Sequence, residues 1–116
     1  NLSKLFVGAE STLGVVVEPT VSLVTKPAET ALALHRFTDL VDATREEPGA
    51  IEYDAATDLE DPNLLRFTEV YEDAEAFAAH GESDHFAAFE EHLPDLLAGE
   101  PEVMQYEVSE ASEVEV

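Results

Sequence analysis

Two histidines stand five positions apart in residues 78–89, AAHGESDHFAAF, within a chain that has four histidines in all. His80 and His85 are the first groups to ask about chemistry, because a neutral imidazole can take a proton near neutral pH or bind a metal ion. Metal binding is not expected from their spacing. Gly81 reads as a helix end and Ser83 as the cap of the next helix. The rings then do not share one helical face, and no third ligand stands nearby in the sequence. Proton transfer is the other chemistry: a neutral imidazole facing a cavity can act as a general base. A purely structural reading gives His80 a backbone carbonyl partner under the helix junction and leaves His85 partly exposed. The chain has no cysteine, so disulfides, thiolate nucleophiles and Cys-based metal sites are excluded.

The elements that must position these residues follow from the apolar pattern. Residues 15–25 are β-branched and partly alternating, with Pro19 at a bulge or edge position, and predict a strand. Leu34, Phe37, Leu40, Val41 and Thr44 recur at helical spacing between the Lys26-Pro27 break and Pro48-Gly49, although residues 31–37 also fit a strand. Ile51, Tyr53 and Ala55 alternate with Glu52, Asp54 and Ala56. Turn chemistry follows at residues 59–63, and Leu65, Phe67, Glu69 and Tyr71 then line one face of the next strand, giving a β-hairpin. A short helix over 72–80 and a second one with the stripe Phe86, Phe89, Leu93 and Leu96 come next, before a strand over 103–108. The order β-α-β-β-α-α-β is a ferredoxin-like α+β plan. With helices on one face only, the sheet's other face needs a cover for Tyr53, Leu65, Phe67, Tyr71 and Met104, and a homodimer stacked sheet on sheet supplies it.

At 116 residues, one domain is expected. Its 27 Asp and Glu against 5 Lys and Arg give a formal net charge of −22. That excess repels nucleic acid and anionic membranes, so neither is an expected partner. The acids are spread through every segment. This fits a surface adapted to molar salt, where screening acts over about 3 Å, more than a dedicated face for a basic partner. No apolar run reaches the roughly 20 residues of a membrane helix, and no signal peptide is visible, although the chain opens at Asn1. A cytoplasmic location is the expectation, with residues 110–116 as an acidic tail.

Several short stretches carry a resemblance: EPGAIEY at 47–53, DLEDPN at 58–63, FTEVYED at 67–73, Ala79-His80, and SDHF at 83–86. In order and spacing they are similar to the "EPG…Y", "DP.DPN", "F…E.W.D", "AH" and "S.HF" series of antibiotic biosynthesis monooxygenase domains, over about residues 15–109. The resemblance implies a dimeric α/β barrel of ferredoxin-like subunits. In several members it also implies oxidation of quinols or polyphenols by molecular oxygen without metal or flavin. The family holds isomerases and haem-degrading enzymes too, so activity transfers less directly than fold. The haem-degrading branch depends on an Asn and a His near the places where Thr20 and Glu90 stand, which disfavours haem breakdown. Tyr71 stands where the family commonly has Trp. Residues 1–14 form a separate extension: LFVGAESTLG at 5–14 resembles a loop of FAD-linked oxidases of the glycolate oxidase type, with Ser11 replacing a glycine. The phosphate-cradling domain of those proteins is absent, so no flavin is expected.

The resemblance places His80 at the mouth of a cavity between helices and sheet, as the base, with Tyr71 orienting a quinol oxygen. The expected cavity residues are Thr20, Tyr53, Phe67, Glu69, His85, Phe86 and Phe89, around a small aromatic substrate, with no cofactor and no metal. Glu69 on an apolar face needs a cation, a proton or water, and Arg66 faces the opposite way on an ideal strand. His35 and His92 read as surface residues. Two functions stay open: a cofactor-independent oxygenase of quinol-like aromatics, and a non-catalytic dimerising module that binds a small molecule or regulates.

Overall fold

Strand and helix positions go to the residues that favour them in the computed structural model, which describes residues 14–24 and 27–115. The strands are β1 (Val15–Ser22), β2 (Ala50–Thr57), β3 (Leu64–Tyr71) and β4 (Glu102–Glu107). The helices are α1 (Pro27–Arg45), α2 (Ala74–Gly81), α3 (Asp84–Glu90) and α4 (Leu93–Leu96). Residues 31–37 lie within α1, so the competing strand reading is set aside. The stripe from Phe86 to Leu96 predicts one helix, yet two form. Pro94 cannot donate a backbone hydrogen bond, and its ring clashes with the carbonyl four residues back. The chain therefore leaves α3 at Glu90 and restarts with Pro94 in the first turn of α4.

The sheet order is β2-β3-β1-β4 with every neighbour antiparallel, the ferredoxin-like α+β arrangement. The β2–β3 turn is built by short acids. Asp58 Oδ1 accepts from the amides of Glu60 and Asp61 at 2.8 and 3.2 Å, and Asp61 Oδ1 from that of Asn63 at 3.0 Å. The Glu60 amide first, then the Arg66 guanidinium and the Asp61 amide, hold the Asp58 carboxyl below its ordinary range.

Register decides which residues meet the helices. Val15 opposite Tyr71, Val17 opposite Glu69 and Val21 opposite Leu65 share the covered face. There Phe37, Leu40 and Val41 of α1 and Phe89 of α3 complete the main core with Tyr53, Leu65 and Phe67. This corrects one expectation: Tyr53, Leu65, Phe67 and Tyr71 are buried by the chain's own helices and need no second sheet. Met104 does lie on the uncovered face, 56% exposed, with Tyr106 at 44% and the buried Val16 and Val70 on the same face. Ile51 departs from its predicted alternation because a register shift between Ala50 and Glu52 makes it the extra residue of a bulge. Among the described residues no helix is long and apolar enough to cross a membrane.

Candidate functional site

The turn after α1 carries the residue that organises the site. The amide of Glu47 donates to the Thr44 carbonyl at 3.0 Å, and Ala50 donates back to Glu47 at 3.2 Å, so residues 44–50 close tightly. Gly49 is required by contact: a Cβ there would lie 2.4 Å from Ala76 Cβ in α2. The amide of Glu72 donates to the Gly49 carbonyl at 3.0 Å, pinning the turn against the entry to α2. Asp73 caps α2 by accepting from Ala76. His80 follows in the last turn of α2. Ser83 then joins both helices: its hydroxyl donates to the His80 carbonyl at 2.7 Å and accepts from the amide of Phe86 at the start of α3. His85 falls in that first turn.

These connections bring both histidines to one carboxylate. His80 Nδ1 lies 2.8 Å from Glu47 Oε2, and His85 Nε2 lies 2.5 Å from the same oxygen. His80 is buried and Glu47 nearly so, while the His85 side chain keeps 29% of its exposure. The carbonyl partner expected for His80 under the structural reading is replaced by this carboxylate. A carboxylate only accepts, so each facing ring nitrogen carries hydrogen. Neutral His80 then has its lone pair on Nε2. Its ring is held between those of Tyr53, Tyr71 and Phe86, with centroids 5.5, 5.6 and 5.0 Å away.

His80 lines a cavity of about 360 Å³ between α1, α2, α3 and the covered face of the sheet. Tyr53, Phe67, Glu69, Phe86 and Phe89 line it, on otherwise apolar walls. Three expected residues are placed elsewhere. Thr20 pairs with Arg66 and Glu102, and its strand position puts it on the uncovered face. His85 turns to Glu47 and borders a separate surface depression with Arg36 and His92. Tyr71 is fully buried behind the wall and donates its hydroxyl to Glu69 Oε1 at 2.6 Å. His35 is exposed, 3.6 Å from Asp39, and His92 is half-buried.

Glu69 is the buried acid of this cavity, 4% exposed. Burial, and then the charge of Glu47, push its carboxyl up to about 7, against hydrogen bonding from Tyr71 and more weakly Tyr53. Burial, with Glu69 next, also raises both phenols above their ordinary range. Of the three remedies for an acid on an apolar face, this one takes the proton rather than a cation.

Glu47 is the functional residue that sequence reasoning passed over. It lies 33 positions before His80 and 38 before His85, so no local spacing announces it. The one signal was its place at the head of the EPG stretch.

The fold defines a class, the ferredoxin-like α+β domains with a cavity between helices and sheet, and comparison with known proteins narrows it. The model of the antibiotic biosynthesis monooxygenase family matches residues 20–92, and the chain belongs to that family. A conserved protein of Methanosarcina mazei Go1 superposes with a TM-score of 0.78 at 27% identity, over 87% of this chain and 98% of that one. An antibiotic biosynthesis monooxygenase superposes with a TM-score of 0.74 at 24% identity, over 85% and 99% of the two chains; at that identity the likeness speaks for the fold. The uncharacterized protein sll1783 of Synechocystis is 34% identical over 70 residues, 60% of this chain. The match takes in about half (48%) of that relative's length. Of the extension over residues 1–14, residues 1–13 lie outside the described residues.

Proposed function

We infer that the protein is a monooxygenase of small quinol-like aromatics that begins by proton transfer. The observation that carries this is His80: a buried imidazole lining an apolar cavity, with Nδ1 fixed by Glu47 and Nε2 left as the base. A phenolic hydroxyl gives its proton to Nε2, and the resulting imidazolium is stabilised by the Glu47 carboxylate. The anion transfers electrons to molecular oxygen. One oxygen atom enters the ring, and the other leaves as water with the two quinol hydrogens, giving a hydroxyquinone. The cavity volume suits one aromatic ring system, and the protonated form of Glu69 is a hydrogen-bond donor available to a second oxygen. Tyr71 acts through Glu69 in this scheme, rather than on the substrate.

The uncovered sheet face, with Met104 and Tyr106 exposed, supports a homodimer stacked through that face. The dispersed acids support function in concentrated salt, in the cytoplasm. A second reading is a small-molecule binding or regulatory module, favoured by the burial of the Tyr71 hydroxyl on Glu69 and away from the cavity. Oxygen uptake by the protein in molar KCl across a panel of quinols and anthrols separates the two. Turnover that is lost in His80→Ala, with no flavin absorbance, is expected. A folded protein that binds quinols without consuming oxygen would select the binding module.

A further inference from the structure

Glu47, His80 and His85 present one carboxylate oxygen and two imidazole nitrogens within 4.8 Å of one another. We propose that this trio is a site for a divalent transition cation of the Zn²⁺ or Co²⁺ kind, and that its occupancy switches off His80 as a base. The expectation of no metal rested on two rings that share no helical face and on the lack of a third donor; the helix junction brings both rings to Glu47, which is that donor.

The donor set is two borderline nitrogens and one oxygen. That combination suits Zn²⁺, Co²⁺ or Fe²⁺, whereas Mg²⁺ and Ca²⁺ prefer all-oxygen cages. A tetrahedral ion holds its ligand atoms roughly 3.3 Å apart. The carboxylate oxygen now lies 2.8 and 2.5 Å from the two nitrogens, and all three atoms lie within 4.8 Å of one another, so the oxygen must back away by under about 1 Å while the partly exposed His85 ring swings its nitrogen toward that of His80. Glu47 is on a turn and its side chain keeps 14% of its exposure, which leaves room for that movement. The donors come from the α1–β2 turn, the end of α2 and the start of α3. The Ser83 hydroxyl bond to the His80 carbonyl and the aromatic rings around His80 fix the geometry of the least exposed ligand. Three protein ligands leave a fourth position for water.

The second half of the proposal rests on the base assigned to His80 above. The nitrogen that faces the trio is Nδ1. A cation there displaces the Nδ1 hydrogen, and the neutral ring must then carry its hydrogen on Nε2, the atom required to accept the substrate proton. Metal and substrate proton therefore compete for one imidazole.

Co²⁺ titration in molar KCl with excess Mg²⁺, which occupies surface carboxylates, is the test. One Co²⁺ per chain with the visible bands of a tetrahedral nitrogen–oxygen site is expected. Affinity should fall at least tenfold in Glu47→Gln and in His85→Gln, the latter keeping a hydrogen-bond donor toward Glu47, with folding checked by circular dichroism. Binding equal in all variants, or none at millimolar Co²⁺, overturns the site. In the oxygen-uptake assay, Co²⁺ or Zn²⁺ should inhibit with the same midpoint as binding, and EDTA should restore the rate. Binding without inhibition overturns the switch and leaves the site standing. Turnover seen only with metal present overturns both the switch and the metal-free base, while the titration still reports the site.

Discussion

Two carboxylates stand at different removes from the cavity and keep different company: Glu69 lines it, and Glu47 reaches it only through His80. Glu47, on a turn near the surface, meets two imidazoles, groups that can carry the opposite charge. Glu69, in the middle of a central strand, meets the hydroxyl of Tyr71, a phenol that burial holds neutral. The difference teaches that partner type, more than depth alone, decides what a buried acid does. In the proposed mechanism the acid beside imidazoles orients and stabilises a base. An acid beside phenols holds its own proton up to about pH 7.

The sharpest way to break this comparison is to remove the base from the first cluster. His80→Ala is expected to lower oxygen uptake by about a hundredfold to ten-thousandfold, the range of general-base contributions. A folded variant with unchanged turnover would detach Glu47 and His80 from catalysis.

Glu69→Gln tests the second cluster through stability. As pH rises from about 4.5 to about 7, the unfolded chain releases this proton and the folded chain keeps it. Wild-type stability therefore falls across that window and levels off above it. Glutamine can still accept from Tyr71 and has no proton to lose. The variant should be more stable at pH 8 by about 3 kcal/mol, with the gain vanishing at pH 4. Thermal melting of both proteins at the two pH values checks this, and a pH-independent difference would refute the assignment.

Gly49→Ala acts on what holds Glu47 in place. The added methyl meets Ala76 Cβ at 2.4 Å, so the turn or α2 must shift, at a cost of about 1 to 3 kcal/mol. Urea titration measures the loss. The same shift should lower turnover, linking backbone contact to the carboxylate.

The smallest effect is expected for Arg66→Ala. Its pair with Asp58 spans 3.1 Å, with the Arg66 side chain 57% exposed, and such pairs contribute under about 1 kcal/mol. Because Arg66 faces away from the cavity, the pH window of the Glu69→Gln stability gain should not move in an Arg66→Ala background.

Much of the fold was legible because its signals are local. Ser83 announced a cap, the Asp58 to Asn63 stretch announced a turn, and alternation announced β2 and β3. The departures arose where local pattern met a competing constraint. The stripe from Phe86 to Leu96 is continuous in sequence and broken by one missing amide hydrogen at Pro94. Apolar content alone could not say which sheet face Tyr53 and Phe67 occupy. That depended on the position of α1, whose Phe37 ring packs 5.2 Å from Phe67. For the site, the histidines stood out by residue type, and the expected cavity wall came from the resemblance to the family rather than from periodicity. Glu47 did not stand out, since a carboxylate among 27 acids gains its meaning only from a partner far along the chain. Thr20 was assigned to the cavity by family analogy, and strand parity turned it to the other face.

The reach of Glu47 across the chain also sets the order in which the molecule can be made. Its bonds to His80 and His85 close loops of 33 and 38 residues, and loop closure of that size carries an entropy cost of about 3 kcal/mol or more. The β2–β3 hairpin, whose turn is six residues long, closes far faster. During synthesis the hairpin therefore precedes the site, and a chain still lacking α3 is folded in part while being unable to bind or turn over anything through His80 and His85 together.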